Sequence, residues 1–225
     1  MEKKLTCLDE TCENKIEEKL GYQKIFWIFV IFSIIGFILE TVWCFISDGY
    51  FESRKGLVYG PFSQVYGFGA IILIALLWKM RNRSNTTIFI WSAVIGGAAE
   101  YICSFFQEKA LGTVSWEYSN SFLSIGGRTN LKYCIFWGIL GVLLIKVIYP
   151  KISVYIDKLL NKMGKVLTVV MAVFLAYNMF ISVAALQRQS ERREAIQASG
   201  YLDTYLDNNF NDDVLKEIYP NMSIK

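Results

Sequence analysis

Five apolar stretches, each long enough to cross a lipid bilayer as a helix, most constrain the fold of this 225-residue chain. A hydrocarbon core of about 30 Å needs roughly 17 to 25 helical residues. Backbone polar groups inside a bilayer are satisfied only in helices or closed barrels, and these stretches lack the strict alternation of barrel strands. The sequence therefore predicts an all-α integral membrane protein with about five transmembrane helices, near residues 25–46, 62–78, 88–106, 133–149 and 166–186.

Composition narrows the class of protein further. Hydrophobic residues make up 54% of the chain against 19% charged residues, a balance typical of membrane proteins. The net charge of +3, spread between apolar runs, argues against a nucleic-acid partner. The chain has no histidine, which excludes histidine-dependent catalytic triads and zinc sites, and it has no Walker A or GxSxG pattern. We therefore predict no enzymatic activity, no cofactor and no metal site in this chain.

The chain divides into three parts: a polar N-terminal segment (1–24), a transmembrane helical domain (25–186) and a soluble C-terminal tail (187–225). In the tail, apolar residues recur at helical spacing, and the run "NDDVLKEIYP" places acidic residues before an apolar stripe and a terminating proline. One or two short amphipathic helices are expected there. They either cap the bundle, lie on the membrane surface or bind a specific partner.

The distribution of basic residues predicts the orientation of the chain in the cell membrane. With five spans, more lysine and arginine residues lie on the side of the N-terminus than on the opposite side. The positive-inside rule then gives a cytoplasmic N-terminus and an external C-terminus. Arg192 and Arg193, just beyond the last span, argue weakly against this orientation.

An internal repeat relates the first four spans. "IGFILETVWCF" (35–45) matches "IGGAAEYICSF" (95–105) at an offset of 60, and "RKGLVY" (54–59) matches "RTNLKY" (128–133) at an offset of 74. The difference of 14 residues predicts an insertion within residues 110–123 of the second copy. Two parallel hairpins, about 25–78 and about 88–149, are therefore expected, followed by the fifth helix.

Two glutamates in the repeated motif are the leading candidates for a functional site. Glu40 and Glu100 each lie on a helix face of small and polar residues, so both are expected to face the bundle interior. A charge at membrane depth costs about 2.5 to 3.5 kcal/mol unless it is paired or protonated. Arg54 and Arg128 precede the return helices and lie on the same side of the membrane as the glutamates' ends of the outgoing helices. These residues form either a substrate or ion site, or structural Glu-Arg clasps that hold each hairpin.

The segment "GLVYGPFSQVYGFG" (56–69) is the second candidate. Proline and glycine interrupt the entry to the second span, while Tyr59, Gln64 and Tyr66 supply polar groups at membrane depth. Broken helices of this kind bind substrates in transporters. An interfacial aromatic belt with glycines for packing is the alternative.

The segment "SWEYS" is the third candidate, because Trp116, Glu117 and Tyr118 combine a carboxylate with two aromatic side chains. Glu117 between these rings could line the entrance to a cavity. The alternative is again an aromatic belt at the membrane surface.

The ordered motifs resemble one bacterial family, the putative ABC-transporter type IV membrane proteins. The resemblance rests on Glu40, "LVYGPFSQVYGFGA", Glu100, "WEYS", "GGRTNLKYCIFWG" and a later "YP", and it covers roughly residues 34–150. The positions that match the pattern are Glu40, Arg54, Tyr59, Gly60, Pro61, Tyr66, Gly67, Glu100, Trp116, Tyr118, Gly127 and Arg128. Glu117 departs from it, since members more often have aspartate there. The resemblance implies a multi-pass permease component and assigns no substrate.

The leading hypothesis is a transporter permease component with a polar intramembrane site between the two hairpins. Its expected partners are membrane lipid and a separate nucleotide-binding ATPase subunit that docks on residues 79–87 or 151–165. A homodimer is a further expectation for a bundle of five helices. The alternatives are a membrane scaffold or sensor with structural Glu-Arg clasps, and an intramembrane carboxylate-dependent enzyme.

Overall fold

The computed structural model describes residues 21–224 and is 74% helical with almost no strand, which confirms the all-α class. Most of the polar N-terminal segment (1–24) lies outside the described residues. Within them the helices are α1 (Tyr22–Asp48), α2 (Gln64–Leu77), α3 (Asn85–Leu111), α4 (Leu131–Leu143), α5 (Tyr149–Arg193), α6 (Tyr201–Asn209) and α7 (Asp212–Ile218). The strands β1 (Thr113–Val114) and β2 (Ser223–Ile224) pair antiparallel.

The membrane-spanning character of the chain is confirmed. Four helical stretches are long and apolar enough to cross a membrane, namely Tyr22–Ser47, Asn85–Ala110, Leu131–Lys162 and Gly164–Arg193. The second predicted span is a shorter apolar helix, Gln64–Met80, in which a 3-10 turn extends α2. It is short because Pro61 and the glycines around it keep the preceding segment out of a helix.

Helix boundaries follow local chemistry. Gly49 and Gly112 end α1 and α3 in the left-handed conformation, with φ of 79° and 61°, and each donates its N–H to a carbonyl of the last turn. Ser84 and Asn130 cap the N-termini of α3 and α4 by accepting hydrogen bonds from the N–H of Thr87 and Tyr133. The helices thus end at small or polar residues that satisfy the backbone.

Residues 150–165, expected to be a loop, are helical instead. Pro150 lies in the first turn of α5, where a missing N–H is tolerated, and the π-helical turn Leu144–Ile148 joins α4 to α5 without a break. The fifth helix therefore begins well before residue 166, and it also continues beyond residue 186 to Arg193.

Contacts at the two ends of the bundle establish the direction of each span. We call the end at which α1 begins the near end, and the end at which α1 terminates the far end. At the near end the Lys146 ammonium donates to the carbonyl of Arg83, just before α3. At the far end Asn178 of α5 bonds the backbone of Tyr59, just before α2. The helical stretch from α4 through α5 therefore folds back on itself at the near end.

The two hairpins, α1 with α2 and α3 with α4, pack through equivalent glycines. A Cβ on Gly67 would collide with the Ser33 hydroxyl of α1, and a Cβ on Gly141 would collide with the Ser92 hydroxyl of α3. Gly67 and Gly141 are related by the offset of 74 found in the sequence. Because only glycine leaves room for these serines, the same close approach is built into both hairpins.

The C-terminal tail docks on the far end of the bundle, as its bundle-capping alternative predicts. Apolar side chains of the tail, including Leu206, Phe210 and Leu215, are buried against α5 and Val58. Two arginines of α5 hold the acidic residues of the tail through the ion pairs Arg188–Asp207, Arg192–Asp207 and Arg192–Asp212. The tail therefore lies at the opposite end of the bundle from the start of α1.

Candidate functional site

The Glu100 carboxylate lies buried between α3 and the entry to α4. Its side chain is only 6% exposed, and it accepts hydrogen bonds from the Thr129 hydroxyl at 2.9 Å and the Tyr118 hydroxyl at 3.3 Å. Burial and the nearby Glu100 raise the pKa of Tyr118, so this phenol stays protonated and remains a donor. Glu100 is thus held by two neutral hydroxyl groups.

The Glu40 carboxylate occupies the equivalent place in the first hairpin and is held more loosely. It is half-buried and accepts one hydrogen bond, from the Ser63 hydroxyl at 3.5 Å, which is at the limit of such an interaction. Glu40 and Glu100 lie within electrostatic range of each other, and the Tyr66 phenol lies within range of both. The structure therefore brings the two predicted glutamates into one region between the hairpins.

Aromatic rings lie beside both glutamates, one helical turn closer to the near end. The Tyr66 ring packs against Gly36 and the Trp137 ring against Gly96, four residues before Glu40 and Glu100 respectively. The two rings contact each other across the hairpins, with centroids 5.5 Å apart. The Tyr66 and Trp137 rings therefore form an aromatic layer on the near-end side of the two glutamates.

The predicted arginine partners bind other carboxylates. The Arg54 guanidinium pairs with Glu52 at 2.8 Å and donates to the Cys44 sulfur at 3.3 Å. Arg128 pairs with Glu108 at 2.5 Å and donates to the Ser104 hydroxyl at 3.3 Å. The Glu40–Arg54 and Glu100–Arg128 ion pairs of the clasp alternative are therefore not formed among the described residues, although Arg54 lies within electrostatic range of Glu40.

These arginine clasps still follow the repeat. Cys44 and Ser104 are related by the offset of 60, and Arg54 and Arg128 by the offset of 74. Each arginine therefore ties the loop that precedes a return helix to the last turns of the helix before that loop. Within residues 21–224 neither Glu40 nor Glu100 makes an ion pair, because the arginines nearest to them are committed to other glutamates.

Four other predicted residues lie away from the two glutamates. Tyr59 stacks on Tyr177 and meets the tail, with its hydroxyl 3.4 Å from that of Tyr205. Gln64 and Trp116 donate to the carbonyls of Gly56 and Arg128, so both hold loop backbone. Glu117 is exposed and accepts from the Ser119 hydroxyl at 2.6 Å.

Four residues near the glutamates were missed by the sequence prediction, namely Ser63, Thr129, Tyr133 and Trp137. Ser63 and Thr129 donate to the carboxylates, Tyr133 stacks on Tyr118 with centroids 4.6 Å apart, and Trp137 forms the aromatic layer. A signal for Thr129 and Tyr133 was present, because both lie in the repeated "RTNLKY" motif. Among the described residues, no group of three or more histidine, cysteine, aspartate or glutamate side chains could hold a metal ion.

Comparison with known proteins gives one match. A family model described as "Putative ABC-transporter type IV" matches residues 27–183, which cover both hairpins and most of α5. No curated protein and no solved structure matches the chain. The matched region contains every residue that surrounds Glu40 and Glu100.

Proposed function

Since the chain belongs to the "Putative ABC-transporter type IV" family, we propose that it is the permease subunit of a transporter and binds its cargo at Glu40 and Glu100. The family describes a transporter-type membrane protein and not an enzyme class. The carrying observation is that equivalent positions of two hairpins bring two carboxylates together without a basic partner in the described residues. Transporters built from repeats bind their cargo at such an interface.

The chemistry of this site favours positive charge. A carboxylate at membrane depth costs about 2.5 to 3.5 kcal/mol unless it is paired or protonated. The hydroxyl donors around the two carboxylates offset only part of this cost, because they carry no positive charge. We infer that the site takes up protons or a cationic group of the cargo.

An ATP-driven cycle needs a second chain, because this sequence has no Walker A motif. We propose that a nucleotide-binding ATPase subunit docks at the near end, on the turn after α2 and the first half of α5. Exposed basic side chains that would face such a partner are Lys79, Arg83, Lys151, Lys158, Lys162 and Lys165. This arrangement also requires a cytoplasmic near end and an external tail.

Purification from native membranes tests the partner. A tagged full-length chain extracted in mild detergent is expected to bring down a nucleotide-binding subunit, identified by mass spectrometry. Exchange of the six near-end basic residues for glutamine should release that subunit without unfolding the chain. Repeated recovery of no ATPase would count against the permease assignment. Light scattering of the same material checks the expected homodimer.

Chemical labelling tests the site itself. Dicyclohexylcarbodiimide is apolar and reacts with protonated carboxyl groups, so it should modify Glu40 and Glu100 within the membrane. Tetramethylammonium should slow this labelling if the site binds cations. Glu217, exposed on α7, is the matched control and should stay unmodified. Labelling of Glu217 at the same rate, or no labelling of either intramembrane glutamate at any pH, would overturn the proposed site.

A membrane scaffold or sensor is the second candidate function. The observation in its favour is that Arg54 and Arg128 join helix ends, and that the tail binds the first loop through Ser53 and Glu52. If this function is correct, Glu40→Gln and Glu100→Gln should leave every cellular phenotype intact. Arg54→Gln and Arg128→Gln should abolish it through loss of folded protein.

A further inference from the structure

An open apolar groove runs along the outer face of α1 towards the far end. Its volume is about 360 Å³, and one residue of α4 completes a lining that otherwise comes from α1. The residues that line the groove are Ile35, Ile38, Leu39, Val42, Trp43, Ile46 and Phe136. Six of the seven side chains are aliphatic or phenyl groups, and Trp43 adds only its indole N–H, so the groove suits an acyl chain better than a polar cargo.

The groove lies at the seam between the hairpins. α1 and α4 meet there through the Trp43 and Phe136 rings, whose centroids are 5.7 Å apart. An occupant of the groove would therefore contact both hairpins, unlike a lipid that covers a single helix. Its length also fits, because the eleven-residue rise from Ile35 to Ile46 is about 16 Å, close to one leaflet of a 30 Å core.

A positive charge lies at the far-end mouth of the groove. The Lys132 ammonium, in the first turn of α4, is 5.9 Å from the ring centroid of Trp43. The Lys132 side chain is exposed and, within the described part of the chain, has no ion-pair partner. Lysine and tryptophan at a helix end lie at the level of lipid headgroups. This lysine therefore faces the phosphate layer.

We propose that the α1–α4 groove is a specific site for one anionic phospholipid, whose acyl chain fills the groove and whose phosphate binds Lys132. The apolar lining selects an acyl chain, and the unpaired lysine selects a negative headgroup over a zwitterionic one. Because the lipid would bridge two hairpins that meet there through one ring pair, binding should stabilise the folded bundle. This inference does not depend on the transport function.

Trp43 serves as a built-in reporter of the site. The full chain is reconstituted into nanodiscs that contain a small, equal fraction of bromine-labelled phosphatidylglycerol or bromine-labelled phosphatidylcholine. Bromine quenches tryptophan fluorescence on contact, and subtraction of a Trp43→Phe sample isolates the Trp43 signal. Brominated phosphatidylglycerol is expected to quench Trp43 more strongly than brominated phosphatidylcholine. Trp91, half-exposed on α3, should be quenched equally by both lipids.

Variants separate the two parts of the proposed site. Lys132→Gln should abolish the preference for phosphatidylglycerol, whereas Lys132→Arg should retain it. Lys109→Gln is the matched control, because Lys109 is an exposed lysine in the last turn of α3 at the same end of the bundle. Val42→Phe should reduce quenching by both lipids, since it fills the groove.

Equal quenching of Trp43 by both lipids in the unaltered chain would overturn the proposal and indicate ordinary solvation by lipid. An equal loss of preference in Lys109→Gln would also overturn it, because the effect would then be one of overall charge. If Lys132→Gln fails to fold, the comparison between the unaltered chain and Trp43→Phe still shows whether Trp43 is quenched more strongly by phosphatidylglycerol than by phosphatidylcholine. Loss of lipid preference with Glu40 and Glu100 still labelled by carbodiimide would leave the proposed transport site standing.

Discussion

The two hairpins place equivalent glutamates in different surroundings. Glu100 is buried and held by two hydroxyl donors, whereas Glu40 is half-buried and has one long hydrogen bond. The difference arises in the loop between α3 and α4, where the longer second copy supplies Tyr118. The longer loop therefore supplies one of the two carboxylates with a second hydroxyl donor that the other lacks. We infer that Glu40 is the less constrained member of the pair and Glu100 the more constrained one.

The largest expected effect on stability comes from the glycines at which both hairpins pack against an aromatic ring. In Gly36→Ala the new Cβ would collide with Tyr66, and in Gly96→Ala it would collide with Trp137, in both cases at the root of a ring that cannot swing away. Each change should lower the free energy of unfolding by about 3 kcal/mol, measured by thermal unfolding in detergent. Gly200→Ala is the control, since nothing lies within 4 Å of its Cβ position. If only one of these two changes were tolerated, the hairpins would not be equivalent.

The next effect tests where the hairpins differ. Thr129→Val removes the shorter hydrogen bond to buried Glu100 and should cost about 1 to 2 kcal/mol of stability. Ser63→Ala removes only the 3.5 Å contact to Glu40 and should cost about 0.5 kcal/mol or less. Thermal unfolding in one detergent measures both. Equal losses would contradict the proposed difference between the two glutamates.

A smaller effect is expected from the tail, which touches the two loops in different ways. It binds the first loop through side chains, with Asn221 donating to Glu52, and the second loop through the backbone of β2. Asp207→Asn should weaken the hold of Arg188 and Arg192 on the tail. Hydrogen exchange should then rise more in residues 52–59 than in residues 113–118. Asp213→Asn, an exposed change in α7, should leave both segments unaltered.

The same ion pairs predict a dependence on pH. Hydrogen bonding from Arg188, aided by Arg192, holds the pKa of Asp207 below its usual value. Because this pKa is lower in the folded state, the carboxylate stabilises the docked tail fully above the usual aspartate range and loses that effect as the pH falls through the lowered pKa. Limited proteolysis of the tail should therefore accelerate only below pH of about 4. Asp207→Asn should remove this acid-dependent step.

The last test changes stability least and addresses orientation. Cysteines placed at Lys55 and Asn120, one in each far-end loop, should react from the same side of the membrane with an impermeant maleimide, in a background without native cysteines. The positive-inside rule predicts the external side. Reaction from opposite sides would break the parallel relation of the hairpins, and reaction of both from the cytoplasm would reverse the proposed orientation.

Sequence patterns predicted the residues whose placement depends on local spacing. The apolar spans, the two glutamates and the glycines before them follow helical periodicity, which holds wherever the helix packs. The clasp alternative named the wrong partners for Arg54 and Arg128, because several glutamates lie near each arginine in the chain and only loop geometry decides which one is reached. The fourth span was likewise predicted to end near residue 149, whereas Pro150 lies in the first turn of α5 and the chain stays helical beyond it.

By itself, the sequence determined that the chain forms an apolar bundle with one carboxylate in each of two related hairpins. The order of the apolar runs along the chain, their helical period and the cost of charge in a bilayer suffice for that conclusion. Only the tertiary structure decided that, within residues 21–224, the arginines pair with other glutamates and not with these carboxylates, that Tyr118 covers one of them, and that the tail caps the far end. These outcomes depend on distances between side chains remote in sequence, which the long loop and the fold-back of α5 create.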